Sequence, residues 1–179
     1  MDAERKFSDE TVSKLDRLTD EILSRVLELP EEQAKGKTGA MVRVLFSPFA
    51  LAGRTMEWNE VYSKRVGARL DDNWESVETF SAEKASRLAE MQAKYRLHVS
   101  SWQSRDVDNK KYGGAFLVLA NVPELGGDVL LIISVSGLTE AGDETYGLLL
   151  ANAMSWGNGE WYAHIVMHSR NHQALRFFM

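Results

Sequence analysis

The stretch that decides the fold is YGGAFLVLANVPELGGDVLLIISVSGLTEAGDE, residues 112–144. It contains two near-continuous apolar runs, AFLVLANV and VLLIISVS, which are joined by the turn residues PELGGD. Apolar runs on either side of such a turn predict an antiparallel hairpin, and their low polar content predicts that both strands lie centrally in a sheet. Gly137 ends the second strand, and Thr139 is a good N-cap for a helix over about residues 140–154.

A long amphipathic helix is predicted near the start of the chain. Ser8 is a suitable N-cap, with Asp9 and Glu10 placed to meet the positive end of the helix. Apolar residues then recur at three- and four-residue steps over residues 12–29, which is the spacing of one helical face. Pro30 ends this pattern, and the sequence EEQAKGKTG that follows it predicts a polar loop.

The middle of the chain predicts a second hairpin and a second helix. Residues 40–46, AMVRVLF, have the composition of a buried strand, and a partner strand is predicted to start after Gly53 and to run toward Tyr62. Ser81 is a candidate N-cap for a helix over about residues 82–95. Two segments carry no clear signal, residues 65–79 and 96–111.

The last twenty residues, EWYAHIVMHSRNHQALRFFM, are ambiguous. Their aromatic and β-branched content favours a further hairpin that turns near residues 169–171, and one helix is the alternative. The predicted fold class is α+β, with about three main helices packed on an antiparallel sheet of about five or more strands. A C-terminal strand or hairpin would extend this sheet, and residues 1–179 are expected to form a single domain.

Composition and charge limit the classes of function. The chain has 179 residues, of which 44% are hydrophobic and 26% charged, as in globular proteins. A net charge of −5 argues against nucleic-acid and membrane partners. No apolar run approaches the ~20 residues that cross a bilayer, and the N-terminus is charged, so a cytoplasmic protein is expected. The absence of cysteine excludes disulfides, thiolate nucleophiles and thiolate metal sites.

The stretch 112–144 resembles the GlcG-like family, also known as haem-degrading or HbpS-like haem-binding domains. The matching positions are the pair Gly113-Gly114, the sequence Val135-Ser136-Gly137 at the end of a strand, and Asp143 at the start of the last helix. Lys84-Ala85 falls where the middle helix of that family often carries a Lys-Ala pair. The chain departs from the family at Ala115-Phe116, where a proline is common, and at Tyr112, where one branch has a histidine.

The resemblance implies a GlcG-like or profilin-like arrangement and a pocket for haem or another small apolar carboxylate. Haem is therefore the candidate cofactor, with Tyr112 or His98 in contact with the ligand, and no metal ion is expected. Two glycines allow close approach of a ligand to the backbone, and the helix end that follows the second strand offers N–H groups to a carboxylate. Strand geometry and ordinary helix capping are the alternative explanations of these features. The candidate ligand-binding residues are Tyr112, Gly113, Gly114, Ser136, Gly137, Thr139 and His98.

Two other classes of function remain open. A non-enzymatic adaptor would form a homo-oligomer or bind a protein partner through a sheet edge and exposed tryptophans, and three tryptophans lie in polar segments, namely Trp58, Trp74 and Trp102. A hydrolase or metal-dependent enzyme would use three histidines spaced four residues apart, His164, His168 and His172. The HExxH pattern is absent, and solvent-facing polar residues are the alternative. A cluster of carboxylates is expected to be a solvated acidic loop, comprising Asp71, Asp72, Glu75 and Glu78.

Overall fold

The computed structural model of the chain describes residues 5–48, 56–68, 73–95 and 98–178. These residues form six helices and four strands, an α+β architecture with an antiparallel sheet, as the sequence predicted. In chain order the elements are α1 (Asp9–Leu27), α2 (Pro30–Ala34), β1 (Gly39–Pro48), β2 (Asn59–Gly67), α3 (Trp74–Tyr95), β3 (Ala115–Val122), β4 (Gly127–Ser136), α4 (Glu140–Ala153), α5 (Gly159–Ser169) and α6 (His172–Phe178).

The sheet has the strand order β2-β1-β4-β3, and all neighbouring strands are antiparallel. The predicted hairpin is confirmed, because β3 pairs with β4 from Ala115 opposite Ser134 to Val122 opposite Gly127. Gly126 and Gly127 form its turn with φ angles of 99° and 100°, a left-handed conformation that favours glycine. The described residues contain four strands, fewer than the five or more that were predicted.

Only one strand of this hairpin is central. β4 lies between β1 and β3, whereas β3 is at the edge of the sheet in the described part of the chain. The prediction that both are central was therefore wrong for β3. Part of the edge is covered, because the N–H of Leu117 donates to the carbonyl of Val99 and the indole N–H of Trp161 donates to the carbonyl of Leu117. This cover, with burial of both faces from Ala115 to Val118, explains the apolar sequence of the first half of β3.

Helices pack on both faces of the sheet. Leu131 and Ile133 of β4 belong to a large apolar core with residues of α1 and α4, while Leu130 and Ile132 face α3 in a second, smaller core. Side chains of successive strand residues point to opposite faces, so β4 supplies both cores. Each aliphatic side chain that is fully buried in this way contributes about 1.5–3 kcal/mol to the free energy of unfolding.

Two predicted helix starts are confirmed. The N–H of Thr11 donates to Oγ of Ser8 at 3.2 Å, and the N–H of Gly142 donates to Oγ1 of Thr139 at 3.0 Å. Residues 30–34 form the short helix α2, so the predicted loop does not begin directly after Pro30. Proline suits a first helical position because its φ is helical and it has no N–H that needs an acceptor.

The helix predicted over residues 82–95 begins earlier, at Trp74. Its first turn is capped by Asn73, whose side chain accepts the N–H of Ser76 at 3.2 Å. Ser81 is therefore not a cap. It is a buried residue inside α3, and its carbonyl accepts the hydroxyl of Ser134 at 2.8 Å.

The boundaries of the second strand also differ from the prediction. β2 covers Asn59–Gly67, whereas the predicted strand began after Gly53 and ended near Tyr62. Residues 49–55, which include the predicted turn and strand start, lie outside the described residues. The inward positions are Tyr62 and Val66, both buried.

The C-terminal residues form two helices, so the prediction of a strand or hairpin extension was wrong. The side chain of Asn158 accepts the N–H of Trp161 at 2.9 Å and caps α5. Arg170 has a φ of 54° and ends α5, and the side chain of Asn171 accepts the N–H of Gln173 at 3.0 Å at the start of α6. The turn predicted near residues 169–171 is present, but it joins two helices.

None of the helices within the described ranges is long and apolar enough to cross a membrane.

Candidate functional site

A pocket of about 330 Å³ lies where β4 ends and α4 begins, at one end of the sheet. The first half of α3 forms one wall, and the connection from β4 into α4 forms another. Lys37, which precedes β1, and Tyr112, which precedes β3, complete the pocket. The residues that line the pocket are Lys37, Ser76, Val77, Phe80, Lys84, Tyr112, Ser136, Gly137, Leu138, Glu140 and Asp143.

A buried ion pair forms the floor of this pocket. Nζ of Lys84 lies 2.7 Å from Oδ2 of Asp143, and the two side chains are 2% and 3% exposed. The same ammonium donates to the carbonyl of Val135 at 2.9 Å, and Oδ1 of Asp143 accepts the N–H of Leu138 at 3.0 Å. One pair of side chains therefore joins α3, the end of β4 and the start of α4.

Gly114 fits closely against this ion pair. Its φ is 108°, and a Cβ at this position would lie 2.6 Å from Cβ of Asp143 and 3.1 Å from Nζ of Lys84. The residue must be glycine for both reasons. The residues that carried the family resemblance, among them Gly114, Val135, Asp143 and Lys84, thus meet in one cluster, although they are far apart in sequence.

Burial changes the pKa of the carboxyl group in the floor of the pocket. Burial raises the pKa of Asp143 to about 6, against the effects of Lys84 and of the N–H of Leu138, which lower it. At neutral pH the carboxylate is ionised and paired with Lys84. The pair is therefore neutral overall and leaves no net charge at the bottom of the pocket.

Tyr112 is held in the wall of the pocket from two sides. Its ring contacts that of Phe80 edge to face, with centroids 5.3 Å apart. Its carbonyl accepts Nη2 of Arg87 at 2.6 Å, and the same guanidinium donates to the carbonyls of Ser101 and Ser104. Arg87 therefore orders the segment that leads into β3, a role that the sequence analysis missed because this segment gave no clear signal.

The N–H groups of the residues that lead into α4 already have acceptors. The N–H of Thr139 donates to Oε2 of Glu32 at 2.9 Å, and its hydroxyl also bonds to that carboxylate. The N–H of Leu138 donates to Asp143, as described above. Glu32 is fully buried and its role was not predicted. The N–H groups of Leu138, Thr139 and Gly142 are therefore already bonded within the protein.

The pocket brings together three of the seven predicted ligand-binding residues, namely Tyr112, Ser136 and Gly137. The other four are not among the residues that line it. Gly114 packs on the ion pair, Gly113 packs under Trp102 and its N–H donates to Glu140 at 3.1 Å, and Thr139 bonds to Glu32. His98 directly precedes Val99, whose carbonyl pairs with β3.

A second buried carboxylate lies on α4, at Glu144. It accepts hydrogen bonds from the hydroxyls of Ser100 and Ser169 and from the amide of Asn171, and no ion pair is formed with it in the described residues. Burial raises the pKa of Glu144 to about 7, and these hydrogen bonds oppose the rise. Glu144 therefore connects α4 to the C-terminal helices and to the segment before β3.

The other predicted groups do not form sites of the expected kind. Each of the five tryptophans is buried or half-buried, so the adaptor hypothesis loses the exposed indoles on which it partly rested. Among the described residues, no group of three or more histidine, aspartate, glutamate or cysteine side chains is placed to hold a metal ion. Asp71 and Asp72 lie outside the described residues, and Glu78 pairs with Arg65.

The similarity of the chain to known proteins is found in a solved structure and not in a sequence family. No protein-family model matches the chain, and no curated protein sequence matches it. Among solved structures, the chain is similar to that described as the crystal structure of the PduOC:heme complex, with a TM-score of 0.49 and 12% sequence identity. The similarity covers 85% of this chain and 97% of that chain. Neither value establishes a common family or a common ligand.

Proposed function

We propose that the protein binds a small apolar or aromatic molecule that carries a carboxylate, in the pocket between α3 and the connection from β4 to α4. The observation that carries this proposal is the ammonium group of Lys37, which forms no ion pair with a described residue and lies in the same cavity as the rings of Phe80 and Tyr112. Pockets that bind small molecules typically combine apolar walls with a few polar groups that fix orientation.

The charges that line the pocket favour an anionic ligand. Asp143 is neutralised by Lys84 at 2.7 Å, and Glu140 pairs with Arg105 at 2.8 Å. No described residue forms an ion pair with Lys37, which is half-buried. Within the described part of the chain, the lining therefore has one positive charge without a counter-charge, and a carboxylate that reaches Lys37 would form a charge-assisted hydrogen bond in a partly desolvated place.

The walls favour an apolar or aromatic body for that ligand. Val77, Phe80 and Leu138 supply apolar surface, and Tyr112 adds an aromatic ring with a polar end. The edge-to-face contact between Phe80 and Tyr112 fixes both rings before a ligand binds. Binding therefore costs less side-chain entropy than it would with mobile rings.

Haem is the ligand that the sequence resemblance implies, and the residues present fit it in chemistry. Tyr112 is a side chain that can ligate ferric iron, and Lys37 can pair with a propionate. A bound haem would supply an iron centre for ligand binding or redox chemistry, while Tyr112 and Lys37 would orient it. The cavity of about 330 Å³ is at the low end for ligand pockets, so a macrocycle would project from its mouth, whereas a small aromatic acid would be enclosed.

Titration of the purified chain with hemin and, separately, with benzoate tests this proposal. We expect saturable binding of at least one of the two probes at about one equivalent, followed by the Soret band for hemin and by calorimetry for benzoate. Lys37→Met should weaken binding about tenfold or more, because a charge-assisted hydrogen bond contributes about 1.5–3 kcal/mol. Tyr112→Phe should shift the Soret band if the phenol ligates iron, and should leave the affinity for benzoate nearly unchanged.

Two variants outside the pocket are matched controls. Lys35→Met removes a positive charge two residues from Lys37 at an exposed position, and His98→Ala removes the candidate haem ligand that does not line the pocket. Both should bind the probes like the wild type. A Soret band that matches hemin on a generic carrier protein, together with no saturable benzoate binding, would refute the proposal and would leave self-association as the leading hypothesis.

A further inference from the structure

The outer face of α5 carries two imidazoles and a thioether, and packing does not explain why they are exposed. His164, Met167 and His168 are all exposed, and Met167 is 77% exposed, the largest value for a large hydrophobic residue in the described chain. An apolar side chain in this position gains little from burial. The three residues lie far in sequence from those that line the pocket beside α3.

The spacing of these residues makes them mutual neighbours. On a helix, residues three and four positions apart have Cβ atoms about 5–6 Å apart, so Met167 and His168 both lie next to His164. The imidazole rings of His164 and His168 have centroids 4.6 Å apart and are nearly perpendicular, at 87°. Two imidazoles from successive turns therefore lie side by side outside the helix, with Met167 on the same helical face.

His164 is also held in place by its neighbour. The indole ring of Trp161 packs against the imidazole with centroids 6.3 Å apart, and the indole N–H is anchored on the carbonyl of Leu117 in β3. One of the two imidazoles is thus partly oriented before any ligand binds. The site lies in the second half of α5, where the negative end of the helix dipole favours a cation.

The set of ligands discriminates between metals. Thioether sulfur is a soft ligand that selects copper(I), and imidazole also suits copper. Zinc sites usually have four ligands drawn from thiolate, imidazole and carboxylate. Glu160 lies one turn before His164, but eight residues, about 12 Å along the helix axis, separate it from His168, so it cannot share a metal ion with both histidines.

From these observations we propose that His164, Met167 and His168 form a three-ligand site for copper(I) on the surface of α5. The site is independent of the pocket beside α3 and of its ligand. It requires no change in the fold, because all three side chains already face solvent on one helix.

Anaerobic titration of the full chain with copper(I), in competition with a chelator of known copper(I) affinity, tests the site. We expect one equivalent to bind, with partial quenching of tryptophan fluorescence because Trp161 lies next to His164. Met167→Leu keeps the volume and removes the sulfur, so it should weaken copper(I) binding about tenfold or more, about 1.4 kcal/mol. The same variant should leave the weaker binding of zinc(II) to the two imidazoles unchanged.

His172→Ala is the matched control, because His172 is exposed but belongs to α6. It should bind copper(I) like the wild type, whereas His164→Ala and His168→Ala should each lose the tight site. All these positions are exposed, so melting temperatures should change little and confirm that the variants are folded. Equal copper(I) affinity in the wild type, Met167→Leu and His164→Ala, or zinc(II) binding as tight as copper(I), would overturn the proposal.

Discussion

Asp143→Asn is expected to lower the free energy of unfolding by about 3–5 kcal/mol at neutral pH, because it leaves the ammonium of Lys84 buried without a counter-charge. The substitution preserves the shape of the side chain, and an amide oxygen can still accept the N–H of Leu138. The loss therefore measures the charge and its hydrogen bond to Lys84, and not the packing. Chemical denaturation, with the slope compared between variants, gives the value.

Substitution of Lys84, alone and together with Asp143, separates the interaction between the two side chains from the effects of their surroundings. Lys84→Met should also be strongly destabilising, since it leaves the carboxylate of Asp143 buried and removes the donor to the carbonyl of Val135. The double variant Lys84→Met, Asp143→Asn contains no buried charge, so its loss should be smaller than the sum of the two single losses by about 2–3 kcal/mol. This coupling is the signature of a buried pair.

An exposed ion pair provides the control. Arg17 and Glu21 lie one turn apart on α1 at 3.0 Å, with side chains 63% and 54% exposed. Arg17→Met should change the free energy of unfolding by no more than about 0.5 kcal/mol, because exposed pairs are screened by water. A loss below about 1 kcal/mol for Asp143→Asn would show that water reaches the ion pair and would contradict its burial.

The residues around this ion pair show why part of the site could be predicted from the sequence. Gly114 has a left-handed φ, Asp143 is a buried acceptor at a helix start, and Lys84 is a long donor from the opposite layer. These residues stood out in the sequence through its resemblance to the GlcG-like family, and not through periodicity or spacing. The contact between Lys84 and Asp143 itself was not predicted, because it joins residues in different layers of the fold.

The C-terminal error has a different physical origin. The segment after Asn158 is rich in aromatic and β-branched residues, which favour strands when considered alone. Its buried residues, however, are Tyr162, Ile165, Val166 and Ser169, at three- and four-residue steps. That spacing is helical, and the two capping asparagines, Asn158 and Asn171, support it. In this segment, helical periodicity and capping outweigh the strand propensity of the individual residues.

The buried carboxylates were missed because a sequence does not show which acidic residue lies inside. Glu144 belongs to a run of acidic and small residues at the start of α4, where exposed carboxylates are ordinary. Its burial arises because α5, the residue before α6 and the segment around Ser100 cover this side of α4, and each supplies a hydrogen-bond donor. These donors lie 25 to 44 residues away in the chain.

Glu144→Gln is expected to make the protein more stable than the wild type at high pH, and the gain should disappear in acid. The pKa of Glu144 is about 7 in the folded chain, compared with 4.5 for the unperturbed group. The folded state therefore holds the proton more tightly, and the wild type loses stability as the pH rises from about 4.5 to about 7. This difference in pKa corresponds to about 3 kcal/mol, which the neutral amide avoids.

The hydrogen bonds around Glu144 allow this substitution. Oε1 of Glu144 accepts from Ser169 and Asn171, while Oε2 accepts from the hydroxyl of Ser100 at 3.2 Å. A glutamine can place its oxygen toward Ser169 and Asn171 and its NH₂ toward Ser100, because a hydroxyl rotates to accept as readily as to donate. A protonated glutamic acid would bond in the same way, so variant and wild type should have similar stability below about pH 4.5.

Free energies of unfolding of wild type and Glu144→Gln, measured between about pH 4 and about pH 8, test whether the pKa of Glu144 is raised in the folded protein. Other groups titrate equally in both proteins and cancel in the difference. Glu31→Gln is the control of opposite sign. Hydrogen bonds from the backbone and from Arg176 lower the pKa of the partly exposed Glu31, so its contribution to stability is lost as the pH falls. A difference between wild type and Glu144→Gln that is flat across this range would mean that the carboxylate titrates as it does in water. The C-terminal helices would then fail to shield α4 from solvent. A difference that grows toward high pH would show that α5 and α6 seal Glu144 in the core, and that the stability of this helical cover depends on pH near neutrality.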